Sequence, residues 1–150
     1  MRISQADADD VAGLARLLWL NSSDEELEER AFDAFAVEFG HWWAAREDMH
    51  VAYVARLDRA EIVGMAWVAL VPRPPRPGAT SRMSADIQSV FVMPDARGRG
   101  IGSALVKAAT EHASRAGALR VTVHSGRKAV PVYERLGFES SQQLLQHTQD

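Results

Sequence analysis

The chain has 150 residues, 47% of them hydrophobic and 25% charged, which suits one domain with a core of its own. A formal net charge of −3 argues against a general nucleic-acid binder. The lack of cysteine excludes disulfides, thiolate metal sites and a cysteine nucleophile. No apolar run approaches membrane-spanning length, and the first ten residues carry no signal-like apolar core. The expectation is therefore a cytoplasmic protein, a single domain over residues 1–150, with no membrane partner, no nucleic-acid partner and no metal.

A short strand opens the chain at residues 2–4, and a helix follows from about Asp9 with Val11, Leu14 and Leu18 on one face. A second helix is announced by Ser23 and Glu26 in capping-box spacing, at the start of the acidic run of residues 24–29. Phe32, Phe35, Phe39 and Trp42 continue it as an apolar stripe, which reads as core packing. Residues 50–57 and 61–71 read as two strands of a hairpin joined through residues 58–60. Four prolines make residues 72–82 a loop, where Arg73 and Arg76 offer cations to an acceptor or simply face solvent. Trp42, Trp43 and Trp67 are candidates for a pocket wall, with core packing the better reading for at least two of them.

Residues 85–93, "ADIQSVFVM", form the next strand, and a helix follows with Ile101, Leu105, Ala108 and His112 on one face, stopped by Gly117. Residues 119–124 make a strand, residues 128–136 a short helix ended by Gly137, and residues 138–147 one or two terminal strand pieces. This alternation predicts a parallel pairing bridged by a crossover helix.

Between strand and helix lies "PDARGRGIG", with glycines at 98, 100 and 102 and arginines at 97 and 99. A helix start leaves its first N–H groups unpaired and partly positive, and glycine removes the Cβ atoms that would keep a bulky anion away. Arg97 and Arg99 add charged donors, so the segment is suited to a phosphate or pyrophosphate. It is not a Walker A loop, because no Gly-Lys pair occurs, and the dinucleotide pattern fails at Ser103. A plain glycine-rich helix start is the bland alternative.

The run Arg97-Gly98-Arg99-Gly100-Ile101-Gly102 resembles the [QR]-x-x-G-x-[GA] motif of the GNAT superfamily of acetyl-CoA-dependent N-acetyltransferases. "AVPVYERLGF" at residues 129–138 is similar to that family's C-terminal signature, and "ISQADADDVAGLARLL" to its first strand and helix. The resemblance implies an α/β fold with a mixed sheet of six to seven strands, about four helices and splayed parallel strands in the middle. It implies acetyl-CoA as cosubstrate, with pyrophosphate on the backbone of Gly98, Gly100, Ile101, Gly102 and Ser103 beside Arg97 and Arg99. The backbone of Val90, Phe91 and Val92, on a strand that carries a bulge, would pair with the pantetheine arm, and an N–H near Phe91 or Val92 would polarise the acetyl carbonyl. Tyr133 aligns with the tyrosine that protonates the leaving thiolate.

The base is open. Gln88 stands where many relatives carry glutamate, and it cannot take a proton at neutral pH. Asp86, on the same strand face, could act through water, and His124 closes the next strand. Water alone is a third option. The implied function is acetyl transfer to a primary amine of a small molecule by direct attack. A protein acceptor, or a silent acyl-CoA sensor, is the alternative. Relatives that pair through C-terminal strands make a homodimer the expected assembly.

Overall fold

The computed structural model describes residues 1–22, 29–58 and 61–149. The proposed cap at Ser23 and Glu26, most of the acidic run and residues 59–60 of the hairpin turn lie outside these. Five strands are described: β1 (Arg2–Gln5), β2 (His50–Arg56), β3 (Ile62–Arg73), β4 (Arg82–Val92) and β5 (Ala118–Val123). Four α-helices are described: α1 (Val11–Ser22), α2 (Glu29–Ala44), α3 (Ile101–Arg115) and α4 (Val130–Arg135). The strands lie side by side in chain order, antiparallel except for the parallel β4–β5 pair. A crossover containing α3 joins that pair, as strand–helix–strand alternation requires.

The sheet buries both faces, so β2 and β3 are nearly continuous apolar runs rather than alternating ones. On one face Ala85, Ile87 and Val68 pack against Ile101, Leu105 and Ala109 of α3. On the other, Met65 and Trp67 pack against Leu14 and Leu17 of α1 and Phe39 and Trp43 of α2. Trp43 and Trp67 are core residues, so two of the three tryptophans are core as expected, while Trp42, read as part of the core stripe, is 38% exposed. Asp10, buried at the entry to α1, is ion-paired with Arg56 of β2. No described helix is long and apolar enough to cross a membrane.

Two features of β4 place the site. First, Met65 faces Phe91 while Trp67 faces Gln88, so two steps along β3 match three along β4. The extra residue is a bulge, and Ser89 takes it with φ 50, in the left-handed region. Second, the parallel pairing with β5 ends at Ile87↔Val123. Beyond that point β4 runs on without β5 beside it, and the sheet forks.

The strand count differs from the six to seven expected: the sheet has five among the described residues, and none lies in 138–149. After Gly137 (φ 95) the chain turns back, and the Phe138 N–H donates to the Tyr133 carbonyl. Leu144 and Leu145 are adjacent, so a strand would send them to opposite faces, and both are exposed here.

Candidate active site

The glycine segment folds as a left-handed approach to α3. Gly98 and Gly100 have φ of 79 and 76, where a side chain would be strained. A Cβ built on either would meet nothing within 4 Å, so both glycines border open space. Gly100 is the N-cap residue of α3, and no side chain caps the helix start. The first N–H groups of a 15-residue helix are thus left to whatever enters.

That open space is a cleft of about 610 Å³. Val90, Phe91 and Val92 form one wall, and Arg97, Gly98, Gly100, Ile101, Gly102 and Ser103 another. Tyr133 and Val132 of α4 close it from the third side. Nine of the expected cofactor residues therefore meet in one place, together with the expected acid. Arg99 is exposed and outside this lining. Arg97 donates its Nε hydrogen to the Val92 carbonyl at 2.9 Å and lies over the Phe91 ring at 5.5 Å, so it also ties the loop to the strand. Ile101 has its side chain in the core at 2% exposure, which anchors the cradle while its backbone stays at the cleft.

Tyr133 is half-buried, and burial pushes its phenol above the usual tyrosine value. Its ring meets Phe138 edge-on at 5.6 Å. Behind it, β5, α4 and residues 136–144 line a separate groove of about 820 Å³, so the ring is a wall between the two. The phenol is protonated at neutral pH, and Tyr133 lines the cleft together with Val90, Phe91 and Val92 of β4.

The two candidate bases differ in setting. Asp86 accepts from the Thr122 hydroxyl at 2.9 Å and from the Gln88 side-chain amide at 3.0 Å. It lies one position before the last β4–β5 pair, opposite Thr122. His124 lies just past the end of β5, exposed, and lines neither this cleft nor the groove behind Tyr133. Arg73 and Arg76 sit at the far, exposed end of the β3–β4 hairpin. There they gather with Arg82, whose guanidinium loses basicity to desolvation and to the charges of Arg76 and Arg73.

Sequence reasoning missed three participants. Asn21 of α1 reaches the cleft lining, Thr122 holds Asp86, and Ser89 makes the bulge. Only a strand register could have revealed Thr122. Serine carries no preference that would announce φ above zero.

The model of the acetyltransferase (GNAT) family matches residues 11–138. A glucosamine 6-phosphate N-acetyltransferase of Trypanosoma brucei brucei is 34% identical over 84 residues, 56% of this chain and 55% of that protein. The chain spans about half the length of the first curated relatives it matches. A crystal structure of a Trypanosoma brucei acetyltransferase superposes with a TM-score of 0.78 at 25% identity, covering 99% of both chains. A structure from Agrobacterium tumefaciens assigned as an acetyltransferase gives 0.74 at 30% identity, covering 99% of this chain and 100% of that one.

Proposed function

Since this chain belongs to the acetyltransferase (GNAT) family, we propose that it is an N-acetyltransferase that moves an acetyl group from acetyl-CoA to a primary amine of a small molecule. One observation carries the reading. The uncapped start of α3, behind two left-handed glycines, opens on the same cleft as Val90 to Val92 and Tyr133. The residues fit the cosubstrate, because the would-be Cβ positions at Gly98 and Gly100 point into open space. Acetyl-CoA supplies an activated acyl group and a thiolate leaving group.

The protein's part is binding, orientation and one proton. The N–H groups at the start of α3, with Arg97, hold the pyrophosphate. The edge of β4 at residues 90–92, unpaired with β5, receives the pantetheine arm as an added strand would be received. An N–H of that stretch polarises the acetyl carbonyl. Tyr133 gives its phenolic proton to the departing sulfur, and burial keeps that proton in place until it is needed. The amine's proton leaves to Asp86, to His124 or directly to water, and of the two side chains Asp86 borders the fork. Holding amine and acyl group together lowers the barrier by up to about 7–11 kcal/mol without a covalent enzyme intermediate. Similarity to a glucosamine 6-phosphate N-acetyltransferase supports a small amine as acceptor.

The test is release of coenzyme A thiol from acetyl-CoA across a panel of amines, amino sugars included. Amine-dependent release that falls in Tyr133→Phe supports the reading. Tight acetyl-CoA binding with no release from any amine or peptide overturns it in favour of a sensor.

A further inference from the structure

Gln88 occupies a defined place. It is the last residue before the Ser89 bulge, opposite Trp67, and one step past the final β4–β5 pair. Trp67 is 4% exposed and gives it a rigid aromatic neighbour, while Gln88 itself is exposed. The cleft wall begins two residues on, at Val90. Gln88 therefore stands at the fork of the sheet.

Its amide is oriented. The Asp86 carboxylate accepts 3.0 Å from Gln88 Nε2 on Oδ2 and 2.9 Å from the Thr122 hydroxyl on Oδ1. A carboxylate only accepts, so the NH₂ of Gln88 must face Asp86 and its carbonyl oxygen must face away. Thr122 in turn fixes Asp86 from β5. The titratable group in the same cross-strand row is His50 of β2, opposite Ala69, which burial and Arg46 keep neutral.

Resting on the acetyl-transfer reading, we infer that Gln88 Oε1 receives the acceptor amine, that Asp86 is a positioning residue for that amide rather than a base, and that the preferred acceptor is a primary amine of lowered basicity. An amide oxygen accepts a hydrogen bond from an amine N–H but removes no proton at neutral pH. The amine must then arrive as free base, having lost its extra proton to water. An α-amino group titrates near 7.7–8.0 and an alkylammonium near 10.4, so their free-base fractions at pH 7 differ by roughly several hundred-fold. Amines beside an electron-withdrawing group, such as α-amino amides and amino sugars, are thereby selected over alkylamines.

The step balances without a base. The amine nitrogen bonds to the acetyl carbon, the C–S bond breaks, and the sulfur takes the Tyr133 proton. The new amide gives its surplus proton to water, and the phenolate recovers one from water.

The experiment uses the whole chain, acetyl-CoA, and glycinamide and propylamine as probes at pH 7. We expect kcat/KM for glycinamide to exceed that for propylamine by about 100-fold or more, following the free-base fractions. Asp86→Asn can still accept from Gln88 through its amide oxygen, with its NH₂ turned to the Thr122 hydroxyl. It costs less than about tenfold, whereas Asp86→Ala, which removes a hydrogen bond to a carboxylate, and Gln88→Leu, which removes one to an amine that gains positive charge as it attacks, each cost about tenfold or more. Acetyl-CoA affinity stays unchanged in all three. In ¹⁵N spectra the Gln88 NH₂ pair, identified by its loss in Gln88→Leu, exchanges slowly in the unaltered protein and in Asp86→Asn and quickly in Asp86→Ala. A loss of about 10²–10⁴-fold in Asp86→Asn is the signature of a missing base and overturns the inference while leaving acetyl transfer standing. Equal rates on the two amines, or fast exchange of Gln88 in the unaltered protein, overturn it as well. Failure of the unaltered protein to bind acetyl-CoA overturns the acetyl-transfer reading instead.

Discussion

A methyl group placed on Gly64 would lie 2.9 Å from Cδ1 of Leu105. It would also crowd Ile101 Cγ2 at 3.3 Å and the Phe91 carbonyl at 3.4 Å. The missing side chain lets the first turns of α3 settle on β3, and that contact sets where the cradle stands relative to β4. Gly64→Ala should therefore overpack a tight junction and cost about 1–3 kcal/mol. Denaturant melts would show a lower midpoint, and acetyl-CoA affinity would fall with it. By contrast a methyl on Gly102 would sit 3.7 Å from Val92, an ordinary contact, so Gly102→Ala should leave the midpoint nearly unmoved.

Tyr133→Phe removes one oxygen and keeps the edge-on contact with Phe138. Loss of a general acid should lower kcat by about 10²–10⁴-fold with little change in acetyl-CoA affinity. Burial raises the phenol's pKa, so the alkaline fall of kcat due to Tyr133 should begin above the usual tyrosine range. A pH–rate profile from neutral to strongly alkaline conditions checks this. A fall at lower pH that persists in Tyr133→Phe would assign it elsewhere.

Stability should decline in mild acid through His112. Arg115 donates to the Tyr53 oxygen at 3.1 Å, so the Tyr53 hydrogen is available to His112 Nδ1, also at 3.1 Å. That arrangement needs Nδ1 unprotonated. Desolvation first, and the Arg115 charge second, lower the His112 pKa below 6.5. A lowered folded-state value means the contribution is present above the unfolded pKa and lost as pH falls through the folded one. Melting temperatures measured between pH 7.5 and pH 5 should fall below about 6.5, the unfolded-state value. His112→Gln should flatten part of that slope, with the similarly lowered His50 supplying the rest.

Much of this site was legible because its signals are local. The glycines at 98 and 100 announced an open approach to a helix start, and Gly117 and Gly137 announced the ends of α3 and α4; all four take positive φ in the structure. The fork was expected only through family resemblance, since pairing between β4 and β5 depends on residues more than 30 positions apart. Thr122 and Asp86 meet across that same gap, which no spacing rule reaches. The terminal strands failed for a different reason. Residues 138–147 hold one strand-favouring residue, Phe138, and no alternating apolar face, so neither propensity nor burial fixes a strand there. Arg97 was read as a ligand for the anion, and its bond to the Val92 carbonyl could not be foreseen from charge alone.

The central claim is that the start of α3 holds the pyrophosphate of acetyl-CoA. Calorimetric titration of acetyl-CoA into the unaltered protein, Gly100→Asn and Gly100→Asp tests it most directly. Asn and Asp tolerate the left-handed conformation of residue 100 similarly, so their difference isolates one negative charge at the helix start. Micromolar binding to the unaltered protein, with Asp weaker than Asn by about tenfold or more, is the predicted result. Equal affinities for the two variants, or preference for ATP over acetyl-CoA, would contradict the account.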